Sequence, residues 1–291
     1  MPTPDYRWLH RLADRQVPAF AGAIETAVKG LARQVTDDAV AVDMGTGEPV
    51  RTLSVLDGWQ VTKQKQRDPE ALYAETIAAA AAETVSMDLA DSFTLTSPLV
   101  MQEAERLAGH MIVDVKQSTR DAVRRIISDA WRDGLAPRES AVLIRQVIGL
   151  DKRRAIALGN YARAQSGASG GANRDKRILN YSRRLVKDRA LTIARTETMR
   201  AANAGVQLGW QEMVKAGHLP ASMRQVWITT PDDRLCDLCA PMSGQEVLLG
   251  GSFESSVRGV LPSDRVPYAG GNVEQPPLHP SCRCTLSAAF S

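Results

Sequence analysis

Five residues with metal-binding side chains fall into two short clusters: Cys236-Asp-Leu-Cys239, then His279-Pro-Ser-Cys282-Arg-Cys284. They include all four cysteines of the 291-residue chain. A Cys-x-x-Cys pair places two thiolates on one turn, close enough to chelate a single ion, and His279 with Cys282 repeats that spacing. Thiolate and imidazole donors in this number favour tetrahedral Zn2+, which takes four ligands. The first choice of ligands is Cys236, Cys239, His279 and Cys282, with Cys284 competing for the fourth place. Disulfides, or a cluster without metal, are the alternatives. A catalytic zinc keeps one position open for water, so a surplus of strong ligands argues for a closed, structural site. The segment between the clusters is poor in hydrophobic residues, so the metal would supply folding energy there.

A second group is Arg195-Thr-Glu-Thr198. Glu197 falls on an apolar helical stripe between Ile193 and Ala201, where an unpaired charge is very costly. It needs a partner, either Arg200 three residues on or a basic group from elsewhere. Arg195, Glu197 and Asn203 are therefore read as structural, and Gly205 as a point of close approach by another segment. His10, His110 and His218 are scattered, without partners in sequence, and are expected to be structural or exposed. No Walker loop, GxGxxG, GxSxG or HExxH motif occurs, and no enzyme activity is expected.

The elements that must position these residues read as mainly α. Aromatic residues make up only 5% and alanine is abundant, which favours helix over sheet. No apolar run approaches the roughly 20 residues needed to span a bilayer, and the N-terminus lacks a signal-peptide core. The chain is thus expected to be made inside the cell, where paired cysteines are metal ligands more often than disulfides.

Read in order, residues 1–97 form a helical N-terminal region, with a helix starting at Pro18 and a turn-rich loop at Asp43-Met-Gly-Thr-Gly-Glu-Pro. Pro69 opens a helix containing the run Ala78 to Ala82. Residues 98–164 form a basic central helical region: a long helix from Pro98 to about 132, another from Pro137, and a third, Lys152 to Arg163, capped by Asp151. Residues 165–173 read as a flexible Gly/Ser linker. Residues 174–291 would hold a long basic helix to Lys215, closed by Gly217, followed by short strands at 225–229 and 245–249 and the Cys/His knot. The fold class is mainly α, with a small zinc-stabilised α+β C-terminal domain.

The net charge of +3 conceals an asymmetry. Between Lys116 and Arg200 there are about 20 Lys/Arg against 8 Asp/Glu, leaving acidic flanks on both sides. Such a cationic segment suits an anionic partner. Arg174, Lys176, Arg177, Arg183 and Arg184 are the candidates for sequence-independent contact with nucleic acid.

Three stretches in this order resemble the phage head-morphogenesis, or Mu F-like minor head protein, family. They are Ile193-Ala-Arg-Thr-Glu-Thr198 with Asn203 and Gly205; Thr230-Pro-Asp-Asp-Arg-Leu-Cys236-Asp-Leu-Cys239; and Pro276-Pro-Leu-His279-Pro-Ser-Cys282-Arg-Cys284. The resemblance implies a structural minor capsid protein of a tailed bacteriophage. Its partners would be the portal protein, the major capsid protein, or both, and packaged DNA. It would reside in the virion at the inner head or portal vertex, after assembly in the host cytoplasm, with no membrane. Residues 1–97 would then dock on a protein ring. The paired clusters also resemble treble-clef zinc nucleases, for which Asp232, Asp233 and Asp237 are the spare carboxylates. A free DNA-binding regulator is a third reading, but it lacks a recognition helix.

Overall fold

The computed structural model describes residues 7–46, 50–57, 69–85, 87–132, 137–165, 171–230, 235–255, 259–260, 267–268 and 271–289. Nine helices precede seven short strands among them. The helices are α1 (Arg7–Gln34), α2 (Asp37–Thr46), α3 (Val50–Asp57), α4 (Pro69–Thr84), α5 (Met87–Ala90), α6 (Pro98–Arg132), α7 (Pro137–Val147), α8 (Lys152–Ala164) and α9 (Gly171–Lys215). The mainly α class with a small sheet-containing C-terminal region is as the composition implies.

Proline and glycine punctuation is followed at most helix ends. Pro69, Pro98 and Pro137 are first residues of α4, α6 and α7, where the missing N–H costs nothing. Asp151 caps α8 by accepting from the backbone N–H of Arg154 at 2.9 Å. Gly217, at φ +78°, ends α9 in a Schellman turn: His218 N donates to Met213 O and Gly217 N to Val214 O.

Three expectations need correction. Pro18 lies inside α1, not at its start. The buried stripe already runs through Leu9, Leu12, Ala13 and Val17 before reaching Phe20 and Ile24. That packing outweighs the single backbone bond that proline removes. The expected loop at Asp43 begins as helix, since α2 continues to Thr46. Asp43 is buried and its carboxylate accepts from Arg51 N at 2.9 Å and Thr52 N at 2.6 Å, capping the start of α3. Residues 171–173 belong to α9, and Gln165 caps the end of α8; residues 166–170 of the expected linker lie outside the described residues.

The chain divides into two compact units. The first comprises Met1–Phe20, Arg67–Gly109 and Thr192–Ser291; the second comprises Ala21–Gln66 and His110–Leu191. The divisions fall within α1, α6 and α9, each of which contributes residues to both.

In the first unit, the strands are β1 (Arg224–Ile228), β2 (Glu246–Leu248), β3 (Phe253–Ser255), β4 (Gly259–Val260), β5 (Pro267–Tyr268), β6 (Gly271–Val273) and β7 (Thr285–Ala289). β1 is the centre of an antiparallel sheet of order β2-β1-β7, with Trp227 opposite Leu286. β3–β6 and β4–β5 form two further antiparallel pairs. Leu9 and Leu12 of α1, Val206 and Trp210 of α9, Trp227, Phe253 and Leu286 share one buried core with Cys239, Cys282 and Cys284. The cysteines are thus part of the unit's interior. Gly205 and Gly209 bring α9 against the alanine run of α4, because a Cβ on Gly205 would stand 2.4 Å from Ile77 O and 2.7 Å from Ala80 Cβ.

In the second unit, Gly149 adopts φ +82° where α7 turns toward α8, with Val28 close against it. Arg189 is buried there and donates to Gly149 O at 2.9 Å and to Ser118 Oγ. Arg154 pairs with Asp188 at 2.7 Å.

Candidate metal centre

Two tight turns carry the ligands. In the first, Cys239 N and Ala240 N both donate to Cys236 O at 3.0 Å, and a 3-10 turn, Ala240–Met242, follows. In the second, Cys282 N donates to His279 O at 3.1 Å and Ser281 takes φ +59°. Ser281 N then donates to Thr196 Oγ1 at 2.9 Å, pinning this turn to α9. Arg283 O accepts from Thr230 Oγ1 at 3.0 Å and lies 3.0 Å from His10 Nε2, so α1 and the end of β1 hold the turn from the other side.

The five donors converge. His279 Nε2 stands 3.0 Å from Cys236 Sγ and 3.1 Å from Cys239 Sγ. Cys239 Sγ stands 3.6 Å from Cys282 Sγ. Cys236, Cys239 and His279 make one group close enough to hold a metal ion, Cys239, Cys282 and Cys284 another, and Cys239 belongs to both. A hollow of about 40 Å³ is lined by all five. Tetrahedral zinc would place two sulfurs about 3.8 Å apart and sulfur and nitrogen about 3.5 Å apart. The Cys239–Cys282 spacing fits, and the imidazole would step back by a few tenths of an ångström. His279 Nδ1 donates to Pro280 O at 2.9 Å, which leaves Nε2 free to coordinate. No disulfide joins the four cysteines.

Without a cation, three buried thiols this close cannot all ionise. The Cys239 thiol is pushed up, first by its hydrogen bond with Cys282, then by that with Cys284 and by burial. Cys282 is pulled down, first by the hydrogen bond from Cys239 and then by that from Cys284. For Cys284 a hydrogen bond with Cys239 lowers the pKa, but the one with Cys282 and burial outweigh it and the net shift is upward. These contacts favour the thiolate form at Cys282 over Cys239 and Cys284. A divalent cation is what would let the others ionise too.

The second group of sequence candidates surrounds this centre. Glu197 is buried, and its Oε2 accepts from Tyr73 Oη at 2.7 Å and Arg200 Nε at 3.1 Å. Asn203 is fully buried; its Nδ2 donates to Met199 O at 2.8 Å and to Cys284 O at 3.4 Å, while its Oδ1 accepts from Leu286 N at 3.0 Å. Arg195 is different: it is exposed and enters no ion pair among the described residues. Two positions on a helix turn the side chain roughly 200°, so Arg195 faces away from Glu197. Thr196 stood in the Arg195–Thr198 motif without a role of its own and His10 was read only as structural or exposed, while Tyr73 and Trp227 were not singled out from the sequence. Of the last two, only Trp227 offered a signal, as a large aromatic on a predicted strand.

Of the basic candidates, Arg174 pairs with Asp175 at 3.3 Å. Lys176, Arg177, Arg183 and Arg184 are exposed on α9, with Lys187 beside them. At 100° per residue they share a stripe covering roughly a third of the helix circumference. Asp237 is exposed beside the first turn, and Asp232 and Asp233 lie outside the described residues.

These features define a helical protein whose small α+β region is closed around a Cys/His centre able to hold a metal ion. Residues 161–287 match the model of the family described as Phage Mu protein F like protein. Over this stretch the chain is similar to the Mu F-like phage head-morphogenesis family. No curated protein and no solved structure matches it significantly. Among the described residues, no helix is long and apolar enough to cross a membrane.

Proposed function

We propose that this chain is a structural minor head protein of a tailed bacteriophage, positioned at the portal or the inner capsid surface, and not an enzyme. The observation that carries the reading is the family match from α8 to β7, over the segment that holds the Cys/His centre and its α9 scaffold. In this reading four of the five donors hold Zn2+, which locks the Cys236–Cys239 turn to the His279–Cys284 turn and joins both to α9. The ion supplies folding energy and no reaction step. Thiolates and imidazole outnumber its coordination positions, which leaves no place for an activated water.

The basic stripe on α9 supports a second role for the same protein, in touching packaged DNA. Lys176, Arg183, Arg184 and Lys187 are exposed, and no ion pair among the described residues engages them. Contacts of this kind go to phosphate and carry no sequence preference.

The test is co-purification with the portal protein encoded in the same genome, followed by counting protomers per portal ring. A defined complex is expected. A chain that stays a free monomer at micromolar concentration with its portal present overturns the reading.

A further inference from the structure

We propose that Cys284 is a ligand of the bound ion, in a set with Cys239, His279 and Cys282, and that the indole N–H of Trp227 holds its thiolate in place. This deepens the metal reading above and rests on it.

The observation is an orphan donor. Trp227 is fully buried at the centre of β1, and its Nε1 makes no hydrogen bond of good geometry. A buried indole N–H ordinarily finds an acceptor. Packing alone would not select tryptophan here, since the ring's edge-to-face contact with Phe253, at 5.2 Å between centroids, is equally open to phenylalanine. The strand register shows where the N–H is aimed. Trp227 lies opposite Leu286. Side chains two apart share a face, and Cys284, two before Leu286 and just ahead of β7, lies with Trp227 in the same buried core. The register and the shared buried core make this sulfur the acceptor to which the indole is matched. A neutral thiol is a poor acceptor and a metal-bound thiolate a good one, so the donor is matched to the loaded site.

The rest of the set follows from burial and orientation. Cys239, Cys282 and Cys284 are buried and form one ligand group, Cys236 and His279 form the other with Cys239, and of the four cysteines Cys236 alone is partly exposed. His279 has its Nδ1 committed to Pro280 O, which leaves Nε2 to coordinate, 3.1 Å from the buried Cys239 Sγ and 3.0 Å from the partly exposed Cys236 Sγ. Asn203 Nδ2 donates to the Cys284 carbonyl, which fixes the backbone that carries this sulfur. In this set Cys236 is the surplus donor, on the solvent side.

The experiment uses the full chain, wild type and the variants Cys236→Ser, Cys284→Ser and Trp227→Phe, loaded with Zn2+ and separately with Co2+. Metal per chain, affinity by chelator competition and the cobalt–thiolate charge-transfer band are measured. One ion per wild-type chain is expected. Cys284→Ser should weaken binding at least about 100-fold and reduce the band, Trp227→Phe should weaken it about 10- to 100-fold, and Cys236→Ser should change it only a few-fold. Alkylation of the metal-loaded wild type followed by peptide mapping needs no variant to fold, and should label Cys236 alone. Loss of the ion in Cys236→Ser, its retention in Cys284→Ser, or full protection of Cys236 overturns the ligand set while leaving the metal reading intact. An unchanged affinity in Trp227→Phe overturns the role of the indole. A wild type that binds no ion overturns the metal reading, and this assignment with it.

Discussion

Asn203, in the middle of α9, accepts the backbone N–H of Leu286 in β7 at 3.0 Å, and its amide nitrogen reaches the carbonyl of Cys284 at 3.4 Å. One buried side chain thus substitutes for a strand at the start of β7 and joins the long helix to the second ligand turn. Replacing Asn203 with leucine keeps the volume but orphans a buried N–H and weakens the hold on a buried carbonyl. Each such group costs about 1–3 kcal/mol. The expected loss is about 2–4 kcal/mol, read by denaturant unfolding, with metal release at lower chelator concentration. A variant as stable as wild type would mean that water enters and satisfies both groups.

Chelation should act locally. The turns at Cys236–Cys239 and His279–Cys284 hold few apolar side chains of their own, and under the zinc reading the ion is what closes them. Removing it, or substituting Cys239, the donor common to both ligand groups, should expose residues 230–291 to amide exchange while α4, α6 and α9 stay protected. Hydrogen exchange with mass spectrometry checks this. Retained protection across 230–291 after chelation would show that the core of Trp227, Phe253 and Leu286 suffices without metal.

Gly205 and Gly22 make a matched pair of helix glycines. A methyl group on Gly205 would meet Ile77 O at 2.4 Å, a backbone atom that cannot step aside, whereas Gly22 has nothing within 4 Å. Gly205→Ala should therefore cost about 1–3 kcal/mol by overpacking the α4–α9 crossing. Gly22→Ala should stabilise by up to about 1 kcal/mol through helix propensity alone. Thermal unfolding of the two variants should shift in opposite directions.

What could be read in the sequence was what depends on neighbours along the chain. Pro69, Pro98, Pro137, Asp151 and Gly217 mark helix ends because their backbone constraints act within one turn. The Cys/His clusters were legible because chelation dictates their short spacing. Glu197 announced a need for partners by its place on an apolar stripe, and Arg200 lay one turn away. Tyr73, Glu197's other partner, comes from a helix more than 100 residues earlier, and nothing local points to it. β7 was missed for a related reason. Thr285-Leu-Ser-Ala-Ala289 has little strand propensity, and it is a strand because the second ligand turn delivers it beside β1. Pro18 misled because proline's local cost was weighed without the tertiary packing of Leu9 to Ile24.

The basic stripe of α9 gives the most direct test of DNA binding. Lys176, Arg183 and Lys187 follow one line along the helix and Arg184 lies on the next, so a phosphate backbone laid along the helix would meet several of them at once. Binding of a random-sequence duplex, followed by fluorescence anisotropy over a salt series, should show log K falling linearly with log salt. Changing Lys176, Arg183, Arg184 and Lys187 to glutamine should flatten that slope by about 0.9 for each phosphate that is no longer neutralised, and should weaken binding equally for unrelated sequences. These side chains are exposed on the polar face of α9, so thermal stability should stay within about 0.5 kcal/mol of wild type. An unchanged slope with all four neutralised would remove α9 as the DNA-facing element, and the cationic middle of the chain would then be a surface for an acidic protein partner.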